Sequence, residues 1–482
     1  MKKRNFVKLI CFIVLTTMLV AILTACGGDS PNANNPADAG TNDASANDAS
    51  TEDDASTEDD APAGGGGDAA PAEARDPIHL ELWTYQGTHI DQLNERIAEY
   101  EAANPGITIE QIFTPSANDE YWQKLAAAVA ARAVPDIVYF HNQRISTFQD
   151  ALEPFPEDIF PLDEMREKIF AFDEAVMING QWYFYPIGIM DGQIYYHVEM
   201  FEEAGITEHP RTWDEFIEVG RMLTIRDDGG QILRAGFTSN GFYRFLWPDF
   251  FLQSGGTWYS EDGLSVTWDC EAGLAATEMI ARMVQGPDAI DTVAITSNQD
   301  AFITGMAAMT HSRGFFGGVL DNEFPEINYG VFPIPIPHHD VEFLGRNNYE
   351  CGFAVMRMST EERKRESFYF LRFLYTPEWI AFECSFNNRL PSMMSLWTEE
   401  FINSTRVMPV TFAQAPRTVF LGDAPQVSLM ALENMVQSLY TGTSPQEALT
   451  AATREANEGL LITPPAWVVE QEWKEMVRQG NQ

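Results

Sequence analysis

Residues 78–83, Ile78-His79-Leu80-Glu81-Leu82-Trp83, alternate apolar and polar side chains, which is the pattern of a half-buried β-strand. Apolar residues then recur at helical spacing over 90–100, and Asn104-Pro105-Gly106 predicts the end of that helix. A second alternating run follows at Ile107–Ile112. Two strands that enclose one helix after short turns pair in parallel with a right-handed crossover, so this segment predicts the βαβ unit of an α/β fold.

The same alternation of helices and strands continues along the chain. An alanine-rich helix is predicted at about 119–132, and the apolar run Ile137–Phe140 predicts a strand that is buried on both faces. Thr212–Glu215 is a capping box ahead of an amphipathic helix, and its signature recurs at Ser359–Glu362. The proline-spaced run Phe332–Pro337 resists the helix and predicts a strand edge or a crossing between lobes.

Length and charge limit the possible functions. At 482 residues the chain is too long for one ordinary core, and it predicts two or three domains. Its 71 acidic and 30 basic side chains give a net charge of −41, which argues against binding to nucleic acid through the phosphate backbone. Because 45% of its residues are hydrophobic, the chain is too apolar to be disordered throughout.

The N-terminus has the order of a lipoprotein export signal. Basic residues precede an apolar run from Leu9 to Leu23, which leads into Thr24-Ala25-Cys26. Residues 1–25 therefore predict a cleaved signal peptide and Cys26 a lipid-modified first residue, with an uncleaved anchor as the alternative. Residues 26–75 predict the lipidated cysteine and a disordered acidic tether, because 27–75 hold no aromatic or branched aliphatic side chain.

Three further cysteines follow the tether, at Cys270, Cys351 and Cys384. Their irregular spacing fits neither a zinc site nor a disulfide scaffold, so we expect buried thiols and at most one disulfide. No cofactor and no metal site are predicted. His338-His339-Asp340 is a candidate metal motif, but an exposed loop is the favoured interpretation because adjacent residues rarely converge on one ion.

The order of these segments resembles the family 1 extracellular solute-binding proteins of ABC importers, the family of maltose-binding protein. The resemblance rests on the lipoprotein signal and tether, on Trp83 in the first strand, and on a series of motifs in the same order. These motifs are Asn104-Pro105-Gly106-Ile107, Val134-Pro135-Asp136-Ile137, Trp182–Pro186, Ile194–His197, Pro210–Glu215, Phe302–Thr310 and Asn328–Val331. The series covers nearly all of residues 76–470.

The resemblance implies an α/β, two-lobed periplasmic-binding-protein-like fold of type II, with a hinge between discontinuous lobes. Lobe one is predicted at 76–186 plus 346–388, and lobe two at 187–345 plus 389–475. A ligand is expected in the cleft between the lobes, since open α/β sheets bind ligands at their strand ends. Closure around the ligand is a hinge motion that a permease can sense.

Sugars need flat aromatic faces beside fixed hydrogen-bonding groups, and the chain places such groups at its predicted strand ends. The candidate ligand-binding residues are Trp83, Tyr85, Gln86, Tyr139, His141, Asn142, Asp191, Trp247, Trp258, Arg313, Phe315, Asn347, Asn348 and Glu350. Several have a structural alternative. Trp83 and Trp247 also fit core packing, Asp191 also fits a turn cap, and His141 also fits a structural histidine.

The predicted function is that of a lipoprotein that captures a small solute, a mono- or oligosaccharide, and delivers it to the permease subunits of an ABC importer. We expect a monomer held on the outer face of the cell membrane by its lipid anchor alone, and no nucleic-acid partner. The alternatives are a surface lipoprotein that hydrolyses or adheres to glycans, and a binding protein for another solute. No nucleophile elbow, zinc-protease helix, Walker lysine or dinucleotide fingerprint supports an enzyme.

Replacement of Cys26 tests the lipoprotein prediction. Cys26→Ser removes the thiol that would carry the lipid, so the variant should lose processing after Ala25 and the acyl anchor. Fractionation and mass spectrometry of the product measure both. Cys11→Ser, which changes a thiol inside the predicted signal, is the control and should be processed like the parent. Normal cleavage and membrane retention of Cys26→Ser would contradict the prediction.

Overall fold

The structure is a computed structural model that describes residues 76–115, 120–349, 351–420 and 425–465. The predicted signal peptide, Cys26, the tether and Glu350 lie outside the described residues. The strands are β1 (Ile78–Thr84), β2 (Ile107–Phe113), β3 (Ile137–His141), β4 (Leu152–Glu153), β5 (Tyr185–Pro186), β6 (Gly188–His197), β7 (Ile225–Arg226), β8 (Ile232–Arg234), β9 (Met309–Arg313), β10 (Tyr329–Pro333), β11 (Gly345–Tyr349), β12 (Cys351–Met356), β13 (Leu390–Pro391) and β14 (Thr418–Phe420).

Helices cover much of the remaining chain. They are α1 (Ile90–Ala103), α2 (Glu120–Ala131), α3 (Ile145–Phe148), α4 (Leu162–Lys168), α5 (Phe172–Ala175), α6 (Val198–Glu203), α7 (Trp213–Leu223), α8 (Tyr243–Gln253), α9 (Glu271–Val284), α10 (Asn298–Ile303), α11 (Gly314–Glu323), α12 (Glu361–Leu374), α13 (Pro377–Phe386), α14 (Glu399–Ile402), α15 (Met408–Gln414), α16 (Gln426–Tyr440) and α17 (Pro445–Leu460). Within the described ranges, no helix is both long and apolar enough to cross a membrane.

The predicted βαβ unit opens the first sheet. β1 pairs with β2 in parallel, from Ile78 opposite Ile107 to Thr84 opposite Phe113, and β3 adds in parallel on the other side of β1. The strand order is β2-β1-β3-β12-β4, and β5 also pairs with β12. β12 runs antiparallel to β3. β3 and β12 are apolar along most of their length and buried almost throughout, as expected for strands inside a sheet that is covered on both faces.

The second sheet is organised around the long strand β6. The strand order is β10-β6-β11-β14, with β9 and β13 also paired to β6. The run Phe332–Pro337 supplies the end of β10, which lies at the edge of this sheet as its prolines predicted. Because β6 pairs with four strands, it holds together segments that are far apart in sequence.

Two separate cores establish the two-lobed α/β fold. The larger buried cluster draws on residues 78–189 and 349–415, and the next on residues 194–460. The chain leaves the first sheet after β5 and enters the second with β6; it returns between β11, which ends at Tyr349, and β12, which begins at Cys351. The first core also extends past the predicted boundary at 388, since Leu390, Met393 and Ala415 pack in it. The lobe boundaries otherwise stay a prediction.

Local signals place the helix starts. Thr212 and Glu215 form the predicted capping box of α7. The second predicted cap is wrong by one residue: Thr360, not Ser359, accepts the backbone N–H of Arg363 at the start of α12. Ser359 donates its hydroxyl instead to Asp136. Because Ser359 bonds to Asp136, which is distant in sequence, Thr360 takes the capping role that the sequence pattern gave to Ser359.

Asp136 fastens the first sheet to α12. Its side chain is completely buried, and its Oδ2 accepts the backbone N–H of Glu81 at 2.8 Å and forms an ion pair with Arg363. Its Oδ1 accepts the Ser359 hydroxyl at 2.6 Å, and its carbonyl accepts the N–H of Met356 at 2.9 Å. One carboxylate thus satisfies donors from β1, from the start of α12 and from the loop that follows β12.

Removal of this carboxylate should be costly. Asp136→Ala leaves a buried N–H and a hydroxyl without their acceptor, so we expect the free energy of unfolding to fall by about 3 kcal/mol. Guanidinium denaturation of the full chain measures it. The matched control is Asp158→Ala, which breaks the pair with Arg365 on the same helix, where both side chains are more than half exposed. Equal unfolding midpoints for the two variants would show that Asp136 has no such role.

Candidate functional site

A cavity of about 550 Å³ lies where the carboxyl ends of the first sheet face α11 of the second lobe, and we call it the cleft. Tyr85 and Gln86 follow β1, and His141 ends β3. Phe315 enters from α11, and Phe386 from the end of α13. Parallel strands bring their carboxyl ends to one edge of a sheet, which is where α/β folds bind ligands. The geometry therefore makes this cavity the candidate binding site.

Aromatic side chains from both lobes line the cleft. Tyr85 is half buried and packs edge-on against Tyr121 and Tyr139, with ring centroids 4.9 and 5.2 Å away. Phe315 is half buried, and Phe386 remains 38% exposed. Rings with one supported side and one open side present flat apolar faces to a bound molecule.

Polar groups lie between these rings. Gln86 donates from Nε2 to Thr88 Oγ1 at 2.6 Å and to Asn387 Oδ1 at 3.3 Å. Asn387 in turn donates to the carbonyl of Glu383 at 3.2 Å. Because these bonds orient both amides, the cleft has fixed hydrogen-bonding groups as well as apolar faces.

A buried charged cluster supports the floor of the cleft. Arg389 lines the cleft but is only 4% exposed; its Nη1 donates to Tyr139 Oη at 3.2 Å and lies 4.0 Å from Glu383 Oε2. Glu383 also pairs with His89 Nδ1. Burial raises the pKa of Tyr139, and its contact with Arg389 opposes that rise. These opposite charges compensate one another beneath the site.

Thr84, His89 and Glu383 are connected in the order of a hydroxyl, a histidine and a carboxylate, as in a catalytic triad. Solvent does not reach the hydroxyl, however. His89 Nε2 lies 2.9 Å from Thr84 Oγ1, while its Nδ1 faces Glu383. An attacking hydroxyl must reach a substrate, and Thr84 is completely buried. This arrangement is therefore structural.

The tryptophans predicted as ligand contacts do not line this cleft. Trp247 and Trp258 lie in the core of the second lobe, 6.2 Å apart by ring centroids, and Trp247 Nε1 donates to Thr277 Oγ1 at 3.0 Å. Trp83 is 6% exposed, and the ammonium of Lys124 lies 3.8 Å from its ring centroid. The core alternative for Trp83 and Trp247 matches these positions.

Other predicted contacts hold the crossing strands together. Asn142 at the end of β3 bonds to Asn348 of β11, and Asn347 Nδ2 donates to Thr418 Oγ1 of β14 at 3.1 Å. Arg313 is 3% exposed and donates from Nη1 to the carbonyl of Met190 at 3.3 Å. Of the predicted set, Tyr85, Gln86, His141 and Phe315 line the cleft, and their contact with a ligand stays a prediction.

The segment Phe386–Arg389 is not among the predicted contacts, although it contributes an aromatic face, an amide and a cation to the cleft. The sequence does hold a signal: Phe386 ends a helix that Thr376 caps, and two amides and an arginine follow directly. The cysteine prediction also needs correction. None of Cys270, Cys351 and Cys384 is in a disulfide, but Cys270 is exposed because it caps α9 at the surface.

Asp191 sits in a network beside the cleft instead of facing it. Its carboxylate is 2% exposed and accepts from Gln193 Nε2 at 3.0 Å, from Thr411 Oγ1 at 2.8 Å and from Gln414 Nε2. Burial raises the pKa of Asp191 to about 6, against the three hydrogen bonds, which lower it. The side chain therefore joins β6 to α15.

Comparison with known proteins agrees with this geometry. A sequence profile of the bacterial extracellular solute-binding proteins matches residues 86–381, and the chain belongs to this family. Its members are binding proteins, not enzymes. Among the described residues, no three His, Cys, Asp or Glu side chains converge as a metal site.

Individual relatives are distant in sequence. A Brucella abortus protein named as a binding protein is 25% identical over 395 residues, which are 79% of this chain and 92% of that one. An arabinooligosaccharide-binding protein of Halalkalibacterium halodurans is 23% identical over 42% of this chain and 45% of its own. The maltotriose-bound MalE domain of Bdellovibrio bacteriovorus superposes with a TM-score of 0.65 at 18% identity, covering 80% of this chain and all of that one. The match to this solved structure confirms the two-lobed fold.

Asp191 generates a pH prediction. Since its pKa is about 6 in the folded chain and about 3.8 without burial, the native state holds this proton more tightly than the unfolded chain. Raising the pH from about 4 to 6 should therefore lower the stability of the parent by about 2 kcal/mol. Asp191→Asn has no proton to lose, so its stability should not fall in this way. Denaturant unfolding across this range measures the difference.

Thr411→Val tests the same titration in a second way, because it keeps the carboxylate of Asp191 and removes one of its hydrogen bonds. It removes a hydrogen bond that favours the charged carboxylate, so the loss of stability should extend to higher pH than in the parent. If parent and Asp191→Asn lose stability in parallel, the carboxylate does not titrate in this range.

Proposed function

We propose that this chain is the substrate-binding lipoprotein of an ABC importer and that its ligand is a mono- or oligosaccharide. The observation that carries the proposal is the composition of the cleft. Tyr85, Phe315 and Phe386 reach one cavity from both lobes, and oriented amides and a buried guanidinium lie beside them. Sugar rings combine apolar C–H faces with hydroxyl groups, and this combination of surfaces complements both.

Relatives support the same class of ligand. The names of the curated and solved relatives include an arabinooligosaccharide, maltotriose and α-D-tagatose as the molecules bound by those proteins. The cleft of about 550 Å³ falls within the usual range for sites of small molecules, roughly 300–1,000 Å³. It has room for one or a few sugar units.

The fold suggests how a bound sugar is signalled. The lobes are connected where β5 leads into β6 and where β11 precedes β12, so a ligand that touches both lobes favours a closed form. Phe315 from the second lobe and Tyr85 from the first would close on opposite sides of it. The permease subunits of the importer would then bind the closed lobes.

The position outside the cell follows from the N-terminus. Cys26 would carry the lipid after removal of residues 1–25, and the acidic segment 27–75 would hold the binding lobes away from the membrane. We propose a monomer that contacts the membrane through this anchor alone and has no nucleic-acid partner.

Calorimetry of the full chain against a panel of mono- and oligosaccharides tests the ligand class. A sugar should bind, and Phe315→Ala and Phe386→Ala should each weaken it about thirtyfold, because a central aromatic contact contributes at least about 2 kcal/mol. Tyr369→Ala, at a 41% exposed ring on α12, is the matched control and should bind like the parent.

Three outcomes count against the sugar proposal. If no sugar in the panel binds, the ligand is another small solute. If Phe315→Ala and Phe386→Ala both bind like the parent, these rings do not form the site. Release of shorter glycans would favour a hydrolase.

A further inference from the structure

A second cavity, of about 610 Å³, lies at the edge strand β10, and we call it the β10 cavity. Its apolar wall is formed by Phe332, Ile334, Ile336 and Phe343, from β10 and the loop that follows it. The opposite side comes from the loop between α6 and α7 and from the end of α15. Its volume falls within the usual range for small-molecule sites, roughly 300–1,000 Å³.

The β10 cavity is separate from the cleft. The two cavities share no lining residue. β9, which leads into the cleft residue Phe315, and β10 pair with opposite edges of β6. Strand β6 therefore stands between the two cavities, and a molecule in one does not occupy the other.

Two arginines and one acid, Glu208, line the β10 cavity, and neither arginine is paired with that acid. In the described part of the chain, the guanidinium groups of Arg211 and Arg417 form no ion pair and no hydrogen bond, and both side chains are exposed. The chain carries 71 acidic against 30 basic side chains, so two unpaired arginines at one apolar cavity are unusual. A guanidinium is suited to bind a carboxylate or sulfonate through two parallel hydrogen bonds.

Gln414 also lines the cavity, and its side chain carries a buried acceptor. The side chain is 3% exposed, and its Nε2 is committed to Asp191 and to the carbonyl of Gly192. Its Oε1 has no hydrogen-bond partner among the described residues. The amide cannot turn over to repair this, because its oxygen would then face the carboxylate of Asp191. A buried acceptor left unsatisfied costs free energy, which a ligand with an N–H or O–H donor recovers.

An aromatic ligand fits the rest of the surface. The His209 ring lies over Phe332 with centroids 5.1 Å apart and planes 13° apart, so the cavity is bordered by stacked rings. We propose that the β10 cavity is a second ligand-binding site, which takes a small aromatic anion that carries one carboxylate or sulfonate group and one N–H or hydroxyl donor. Arg211 and Arg417 bind the anion, Gln414 Oε1 accepts the donor, and the apolar wall covers the ring.

Titration with 8-anilinonaphthalene-1-sulfonate tests the proposal, since this dye has the sulfonate, the N–H and the aromatic body. The full chain should bind it saturably, with a rise in fluorescence. Arg211→Ala and Arg417→Ala should each weaken binding about tenfold, as expected for the loss of a charged hydrogen-bonding group. Ala413→Trp fills the cavity from an exposed position and should abolish binding. N-phenyl-1-naphthylamine, the same dye without the sulfonate, should bind more weakly to the parent.

Two control variants separate this site from others. Arg282→Ala removes an exposed arginine that pairs with Asp214 elsewhere on the second lobe, and it should leave dye affinity unchanged. Phe315→Ala changes the cleft and should also leave it unchanged, so the result is independent of which solute the cleft takes. The proposal is wrong if the parent shows no saturable binding, if the two arginine variants and Ala413→Trp bind like the parent, or if Phe315→Ala abolishes the signal.

Discussion

Strand β6 is the element on which the arrangement of the lobes depends. Its first residues pair with β11 and β13, and its later residues pair with β9 and β10. Gly192 lies at the change between these partners, where a Cβ atom would come within 2.7 Å of His311 Nε2 and 2.8 Å of Ile334 Cδ1. His311 is completely buried, and burial lowers its pKa to about 3, so the crowded ring is neutral. Close packing here requires glycine.

The position of the cleft follows from this strand. Met190 of β6 lines the cleft, while Asp191, the next residue, points into the network with Thr411 and Gln414. Successive residues of a strand face opposite sides of the sheet, so β6 contributes to the site on one face and to the attachment of α15 on the other. Gln414 then connects that network to the β10 cavity. Strand β6 therefore separates the two proposed ligand sites, and no residue lines both of them.

Buried charge has a supporting role under the site. Glu383, Arg389 and His89 are nearly inaccessible to solvent, and each needs an opposite charge or a hydrogen-bond partner to remain buried. Their mutual contacts fix Tyr139 and the end of α13, and so they set where Phe386 and Asn387 stand. The rings that face the cleft are consequently held from below by a polar cluster and not by apolar packing alone.

The sequence predicts strands and helix starts correctly where a local pattern of residues is compatible with only one structure. The alternation at 78–83 and 107–112 gave the correct parallel pair, and Thr212 with Glu215 gave the correct helix start. The sequence places Trp247 and Trp258 near a loop, where a tryptophan has the same local pattern whether it faces a core or a cleft; the structure has both in the core. Asn387 was missed because its partner Gln86 lies 301 residues away in the chain.

The sequence by itself determined the α/β class, the family through the order of its motifs, and the candidate aromatic and amide groups, because these depend on residue type and on spacing along a few turns or strands. The tertiary structure alone decided which groups share a cavity. In it, Phe386 and Arg389 lie at the strand ends of the first sheet. Trp247 and Trp258 pack in the core of the second lobe, and Asp191 is bound in a buried hydrogen-bond network. The physical reason is that burial and pairing are set by contacts between distant segments, which no local pattern records.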